Sequence, residues 1–304
     1  MSTEVDDLQY TRPAQLTETI HRDVYPLLSP DNPANNQQGK IIVITGGGSG
    51  IGAATARIWI RAGAEGVVIA GRRREVLEKT AEELNSLSQG KTKILAIPAD
   101  VGSEKDVQNL FLEVKKSFGR TADVVVANAG KVIDLLPAAE ESIDTWWSVY
   151  EINLKGLHNT VIHWIRSQPN PKEPEGTLIN IASGLAGFAI PGDSAYGLSK
   201  LAGQRYIEYI GLDYPKIRAF TTMPGIVMTD ILAEWLWPYA KDHVDLTGAL
   251  ALYLSTSRAD FLKSSMISVN WDLETIEAHK AEVEAGALKI AYNPLLPMAG
   301  GKGW

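Results

Sequence analysis

From residue 40 onward the chain alternates short, uninterrupted β-branched apolar runs with longer amphipathic stretches, and this alternation restricts the fold more than any other feature. A strand that is apolar on both faces must be covered on both, and helices between successive strands do this for a parallel sheet. The runs predict seven strands: Ile41–Thr45, Gly66–Ala70, Lys93–Pro98, Asp123–Ala127, Thr177–Ala182, Ile217–Thr222 and Met266–Asn270. Between them Arg74–Leu87 carries Val76, Leu77, Ala81 and Leu84 near helical spacing, and Glu104–Phe118 carries Val107, Leu110, Phe111 and Val114 as one stripe. The expectation is a single doubly wound α/β domain over residues 40–272, a seven-stranded parallel sheet with helices on both faces.

The flanks differ. Residues 1–39 form an N-terminal arm marked by Pro26, Pro30, Asp31, Asn32, Pro33, Asn35 and Asn36, which either wraps the domain or lies loose. Residues 273–304 form a C-terminal extension, with a charged helical segment at Glu274–Glu284 followed by the Pro/Gly-rich AYNPLLPMAGGKGW.

Composition removes several function classes. With 45% hydrophobic and 21% charged residues in 304, the chain has ordinary globular usage. The absence of cysteine excludes thiolate chemistry, disulfides and Cys-ligated zinc. A formal charge of -7, with no block of like charges, argues against a nucleic-acid partner. No apolar run approaches membrane-span length, and MSTEVDDLQY is acidic where a secretion signal would be basic and then apolar, so a cytoplasmic protein without membrane partners is expected. His21, His158, His163, His243 and His279 show no paired ligand spacing, so no metal is expected.

The first run leads straight into TGGGSGIG, residues 45–52, and then into the helical ATARIWIRAG. A glycine turn between strand and helix lets main-chain N–H groups approach a pyrophosphate at the positive end of the helix dipole. Gly46, Gly50, Ile51 and Gly52 are therefore candidate cofactor contacts; the plainer reading is a glycine-rich turn with no ligand. Where an NAD-preferring site offers an acid after the second strand, this chain has Gly71, Arg72, Arg73 and Arg74. Arginines opening a helix oppose its dipole unless an anion is present, and a 2′-phosphate supplies one, so Arg72 and Arg73 point to NADP rather than NAD. The competing reading is a solvated face neutralised by Glu75 and Glu78.

The stretch IASGLAGFAIPGDSAYGLSK, residues 181–200, holds Ser183, Tyr196 and Lys200. Lys200 follows Tyr196 by four residues, so on one helix the two side chains share a face. A nearby cation favours the phenolate and is expected to move the tyrosine toward its working range. Ser183, at the end of a predicted strand, would hold a substrate oxygen beside the tyrosine. A chance Tyr-x-x-x-Lys is common, but none of the other nine tyrosines has one, and this pair lies downstream of a phosphate loop.

These motifs together resemble the short-chain dehydrogenase/reductase family over residues 40–272, which implies a Rossmann-like fold. The glycine motif is similar to Thr45, Gly46, Gly50 and Gly52, the adenine contact to Asp100 and Val101, and the Asn-Ala-Gly element to Asn128, Ala129 and Gly130, with Ala127 in place of the usual first asparagine. The resemblance carries the family's catalytic positions onto Asn153, Ser183, Tyr196 and Lys200, and its nicotinamide turn onto Pro224 and Gly225 with Val227 and Thr229 following. It implies hydride transfer between nicotinamide and a ketone or secondary alcohol. In that scheme Tyr196 is the proton donor, Ser183 holds the oxygen, Lys200 tunes Tyr196 and holds ribose, and Asn153 positions a water. It also implies a homodimer or homotetramer. The arms resemble those of fungal members, which brings secondary metabolism into view. The ending ISVNWD departs from the family's usual Asp-Gly-Gly and leaves the floor of the substrate site open.

The segment DILAEWLWPYAKDHV resembles the family's variable lid. Trp235, Trp237 and Tyr239, with Leu185, Phe188 and Ile190, would line an apolar pocket for a bulky or aromatic small-molecule substrate. Alternatively, the tryptophans pack onto the core or a partner subunit. Two other functions use the same residues: a non-redox isomerase or cyclase employing Tyr196 and Lys200, and a nucleotide sensor without catalysis.

Overall fold

The structure is a computed structural model that describes residues 6–291. Its centre is one parallel sheet of seven strands in the order β3-β2-β1-β4-β5-β6-β7. The strands are β1 Ile41–Thr45, β2 Gly66–Gly71, β3 Lys93–Pro98, β4 Val124–Ala127, β5 Gly176–Ile181, β6 Ile217–Met223 and β7 Met266–Ser268. The helices are α1 Gly50–Arg61, α2 Arg74–Ser88, α3 Glu104–Phe118, α4 Ile143–Tyr150, α5 Gly156–Ser167, α6 Ser194–Asp213, α7 Asp245–Leu254, α8 Leu273–Ala278 and α9 Lys280–Glu284. This is the doubly wound α/β architecture that the run pattern predicts.

The uninterrupted runs follow from the two-sided burial. Ile42 and Ile44 of β1 face a core shared with Ile58 and Trp59 of α1, Leu77 of α2 and Leu250 of α7. Their neighbours Ile41 and Val43 face the other core, with Val107 and Phe111 of α3, Val161 and Trp164 of α5, and Ile207 of α6. Side chains alternate across a strand, so a strand in the middle layer needs an apolar residue at every position. Ladder order reverses between β1 and β4, leaving a crevice at the carboxyl ends of the strands where an open α/β sheet binds its ligand.

The arm is not loose. Leu28 is fully buried in the first core with Leu27 beside it, and the buried Asn35 side chain donates to the carbonyls of Leu27 (2.8 Å) and Ser29 (3.0 Å). Ile20 forms an antiparallel bridge with Trp271, and the Trp271 indole donates to the Ala14 carbonyl at 2.7 Å. His21 stacks on Tyr25 with ring centroids 3.6 Å apart and lies 3.1 Å from the Asp272 carboxylate. The predicted seventh strand ends early, at Ser268, because Asn270 turns its side chain inward to bond His21 and Asp242. The charged segment predicted at Glu274–Glu284 is split into α8 and α9 at His279.

Candidate active site

The phosphate loop is closed by main-chain contacts that admit only glycine. Gly46 is left-handed (φ 67°), and a Cβ there would press on Asn128 and Ala129; a Cβ on Gly52 would collide with the Gly46 carbonyl oxygen. Gly50 (φ 52°) faces the Thr229 methyl, so the turn after β6 closes over the start of α1. The Thr80 hydroxyl of α2 donates to the Gly48 carbonyl at 2.7 Å and fixes the loop from below. This cradle has room for main chain but not for a side chain, which fits a pyrophosphate held by N–H groups at the α1 N-terminus. Ile51, on the first turn of α1, also has its carbonyl held, by the Thr55 hydroxyl at 2.8 Å.

The switch point is bolted by side chains. The Thr45 hydroxyl accepts from the N–H groups of Asn128 and Ala129, both at 3.1 Å, and the Asn128 amide donates to the Thr45 carbonyl at 2.9 Å. Asp100 closes its own turn by accepting from Gly102 N at 2.9 Å, and the buried Val101 offers its carbonyl to Asn159 at 2.8 Å. Arg72, Arg73 and Arg74 are all exposed. Arg74 pairs with Glu78 at 3.6 Å, as the solvated-face reading supposes, whereas Arg73 extends over the loop to donate to the Ser49 hydroxyl at 3.4 Å. Among the described residues neither Arg72 nor Arg73 makes an ion pair.

Beyond the loop, Ser183, Tyr196, Lys200 and Asn153 come together. Lys200 is buried, donates to the Ile181 carbonyl at 2.7 Å and lies 5.6 Å from the centroid of the Tyr196 ring. Gly130 sits between the two buried polar groups: a Cβ on it would be 3.6 Å from Lys200 Nζ and 3.7 Å from Asn153 Oδ1. Ser183, in extended backbone after β5, accepts from Leu185 N at 3.2 Å. Asn153 lies in a single π-helical turn, Glu151–Lys155, inserted between α4 and α5. Such turns bulge the helix and re-aim a side chain. Here Asn153 Oδ1 accepts from Lys131 N at 2.7 Å, while its amide donates to the Lys131 carbonyl (3.0 Å) and to Ser199 Oγ (2.9 Å). The Asn153 side chain thus clamps the loop after β4 to α6.

The electrostatics differ from the sequence expectation. Burial pushes the Tyr196 hydroxyl up to about 12; the Ser183 hydroxyl works against this and Asp193 adds to it. Burial also pulls the Lys200 ammonium down to about 8. Desolvation of the phenol outweighs the hydrogen bond from Ser183, while the Lys200 ammonium is held by the Ile181 carbonyl at 2.7 Å, 5.6 Å from the ring centroid. Asp193, three residues before Tyr196, is raised to about 6, again mainly by burial.

Pro224, Gly225, Val227 and Thr229 follow β6. Gly225 is left-handed (φ 74°), Val227 is buried, and the Ile226 N–H donates to the Asp242 carboxylate at 2.6 Å. The lid aromatics pack neither on the sheet core nor wholly into the site. Tyr10 of the arm meets Trp235 and Tyr239 edge-on at 5.5 and 4.7 Å, and Tyr239 donates to Gln9 at 3.3 Å. Trp237 remains half exposed, and Leu185, Phe188 and Ile190 are partly exposed around Ser183.

Sequence reasoning missed Ser199, which joins Asn153 to the Tyr196 carbonyl (2.7 Å), and Trp146, which stacks on Tyr150 at 4.5 Å and donates to Ser194 at 3.0 Å beside the start of α6. The aromatic spacing in TWWSVY was the available signal for Trp146. Asp242 and Thr80 were also missed, and no local pattern marks either.

A glycine cradle at the switch point, with a buried lysine beside a tyrosine at the carboxyl edge of the sheet, defines a dinucleotide-binding oxidoreductase. The family model described as short chain dehydrogenase matches residues 40–237. The chain is 30% identical over 273 residues to the short chain dehydrogenase mpl6 of Monascus purpureus, covering 88% of this chain and 92% of that one. It is 28% identical over 276 residues to the short chain dehydrogenase andI of Emericella variicolor, covering 88% and 93%. A short-chain type dehydrogenase/reductase from Mycobacterium marinum shares the fold with a TM-score of 0.69 at 23% identity, over 78% of this chain and 96% of that one. The chain therefore belongs to the short-chain dehydrogenase family and is a dehydrogenase/reductase enzyme whose family uses a nicotinamide cofactor. Among the described residues no helix is long and apolar enough to cross a membrane.

Proposed function

We propose that the protein is an NADP-dependent reductase of a bulky, apolar or aromatic ketone, running in the reverse direction as a secondary-alcohol dehydrogenase. The observation that carries the reaction type is the convergence of Ser183, Tyr196 and buried Lys200 across the crevice from the glycine cradle. A bound nicotinamide would supply or accept the hydride. Ser183 hydrogen-bonds the carbonyl oxygen, and Tyr196 donates its proton to that oxygen as the carbon is reduced. The Lys200 ammonium would stabilise the phenolate left behind and hold the ribose hydroxyls of a bound dinucleotide. Asn153 holds Lys131 and Ser199, keeping α6 and its tyrosine in register with the loop after β4.

Arg72 and Arg73 support NADP over NAD: both are free of ion pairs among the described residues, and Arg73 already reaches Ser49 over the loop where a 2′-phosphate would lie. Asp100, Val101, Asn128 and Gly130 would border the adenosine and ribose, and Pro224, Gly225, Val227 and Thr229 the nicotinamide side. Leu185, Phe188, Ile190 and Trp237 support an apolar substrate, a class that includes secondary-metabolite ketones. A homodimer or homotetramer is supported by Trp147, Leu198, Tyr209 and Leu212, exposed at 56, 49, 58 and 74% along α4 and α6. The net charge of -7 supports neither nucleic acid nor an anionic membrane as partner.

Titrating NADPH and NADH into the purified protein, by nicotinamide fluorescence excited through tryptophan, tests this reading. NADPH should bind at least about tenfold tighter, a difference of about 1.4 kcal/mol, and Arg72→Ala or Arg73→Ala should remove the difference. Equal affinities would remove the NADP preference, and tighter NADH binding would assign NAD. A panel of aryl and alkyl ketones read by NADPH oxidation, with Tyr196→Phe as the blank, then identifies the substrate class.

A further inference from the structure

Asp242 closes the lid segment, and its side chain is wholly withdrawn from water. Its carboxylate collects donors from three distant parts of the chain. Oδ2 accepts from Ile226 N at 2.6 Å, Oδ1 accepts from Asn270 Nδ2 at 2.8 Å after β7, and Arg22 of the arm brings Nε to 3.3 Å. The last contact is an ion pair without hydrogen-bond alignment, since Arg22 Nε has no hydrogen-bond partner. The main chain reinforces the same junction: Asp242 N donates to Ile226 O at 3.2 Å and His243 N to Arg22 O at 2.7 Å. A buried carboxylate is costly unless it is paired and hydrogen-bonded, so all three partners are needed to hold it there.

The carboxylate sits directly beneath Gly225, where any Cβ would strike it, in the turn that follows β6 and closes over α1. On the outer side of this turn lies a cleft of about 440 Å³ lined by Arg22, Val227, Met228, Lys241, Asp242 and His243. The turn is tied at Ile226 to Asp242, beside the buried Val227 and the contact of Thr229 with Gly50.

We propose that Asp242 is a positioning residue for the Pro224–Thr229 turn, and that through Arg22 the N-terminal arm is part of the cofactor site. The inference rests on the nucleotide-dependent reading above. It assigns to the arm, and to the departure Ser268-Val269-Asn270 at the end of β7, the task of setting where the nicotinamide half of the cofactor lies. The adenosine end, set by the arginines after β2, makes no contact with Asp242 among the described residues.

The test compares two ligands on each variant: the dinucleotide that the wild type prefers, NADPH or NADH, and the matching ADP-ribose with or without 2′-phosphate, which lacks nicotinamide. Asp242→Ala should weaken dinucleotide binding by about tenfold, with ADP-ribose affinity changed by less than about twofold. Asp242→Asn, whose amide oxygen still accepts from Ile226 N, should recover part of the loss. Arg22→Met should give the same pattern at about threefold. Tyr253→Phe, which removes a 2.7 Å bond to Glu277 far from the turn, provides a destabilised control that should leave both affinities alone. If Asp242→Ala does not fold, Asp242→Asn and Arg22→Met carry the comparison. Unchanged dinucleotide binding, or equal losses for both ligands, would overturn the inference while leaving the functional reading in place. A wild type that binds neither ligand would instead overturn the functional reading itself.

Discussion

The Nζ of Lys200 donates to the Ile181 carbonyl at 2.7 Å, which seats the ammonium 5.6 Å from the centroid of the Tyr196 ring. Tyr196, pushed up to about 12 by burial, keeps its proton at neutral pH, the form that protonates a carbonyl oxygen. Carbonyl reduction is expected to hold steady toward pH 8 and then fall as Lys200 discharges near its value of about 8. Alcohol oxidation, which needs the tyrosine as a base, should rise with pH through the same region. Rates in both directions across pH check this; an oxidation rate indifferent to pH would contradict it.

Lys200 also gives a stability signature. Its folded value of about 8 lies below the ordinary 10.5, so between these limits the unfolded chain binds more protons and stability rises with pH. Below about 8 the cost of burying the charge is fully present. Lys200→Met should be the more stable protein at pH 7 by about 1–2 kcal/mol, the lost bond to Ile181 offsetting part of the gain, and this advantage should shrink toward pH 10.5 while turnover is lost. Urea melts at several pH values measure it. A constant difference at every pH would refute the assignment.

Two glycine substitutions should separate shape from strain. Gly52→Ala forces a methyl onto the Gly46 carbonyl, main chain against main chain with no rotamer to relieve it, so dinucleotide binding should disappear. Gly63 has φ 81° and open space around it, so Gly63→Ala should cost only the left-handed backbone penalty of about 1–2 kcal/mol and leave binding intact. Calorimetric titration and thermal melts of both variants provide the comparison.

The arm's contribution to the core is measurable through Leu28. Leu28→Ala should lower stability by about 2–5 kcal/mol, the cost of a cavity at a fully buried leucine. A shift below about 0.5 kcal/mol in urea would mean the arm is only draped on the domain.

Tyr209 is 58% exposed on α6. If that face is a subunit interface, Tyr209→Glu should convert the protein to a monomer by sedimentation without loss of helical content; an already monomeric wild type would remove the oligomer from the reading.

The sheet was legible because each strand is buried on both faces, which writes an unbroken apolar run into the sequence; β1 and β3 have their predicted limits, and so does the helix α3. The phosphate loop and the Ser183, Tyr196 and Lys200 set were legible because each depends on spacing along one short segment. What escaped was chemistry between segments. Asp242 meets Asn270 across 28 positions, Ser199 meets Asn153 across 46, and Thr80 meets Gly48 across 32. No local periodicity encodes such pairs. The lid aromatics had two balanced readings, and Tyr10, an unremarkable tyrosine in the arm, accounts for the packing of Trp235 and Tyr239. The net direction for Tyr196 was not legible, because spacing gives the proximity of Lys200 whereas burial is the largest influence on the phenol.

The bridge between Ile20 and Trp271, with His21 against Asp272 at a separation of 251 residues, sets an order of assembly. During synthesis the arm leaves the ribosome before the sheet, yet its docking partners are among the last residues of the sheet to emerge. The emerging chain must therefore carry Ile20 and His21 without their partners until translation has passed Asp272. A nascent chain halted before Asp242 would contain Gly46, Gly50 and Gly52 with Arg22 still lacking Asp242 and Asn270, so arm docking becomes a late event of folding.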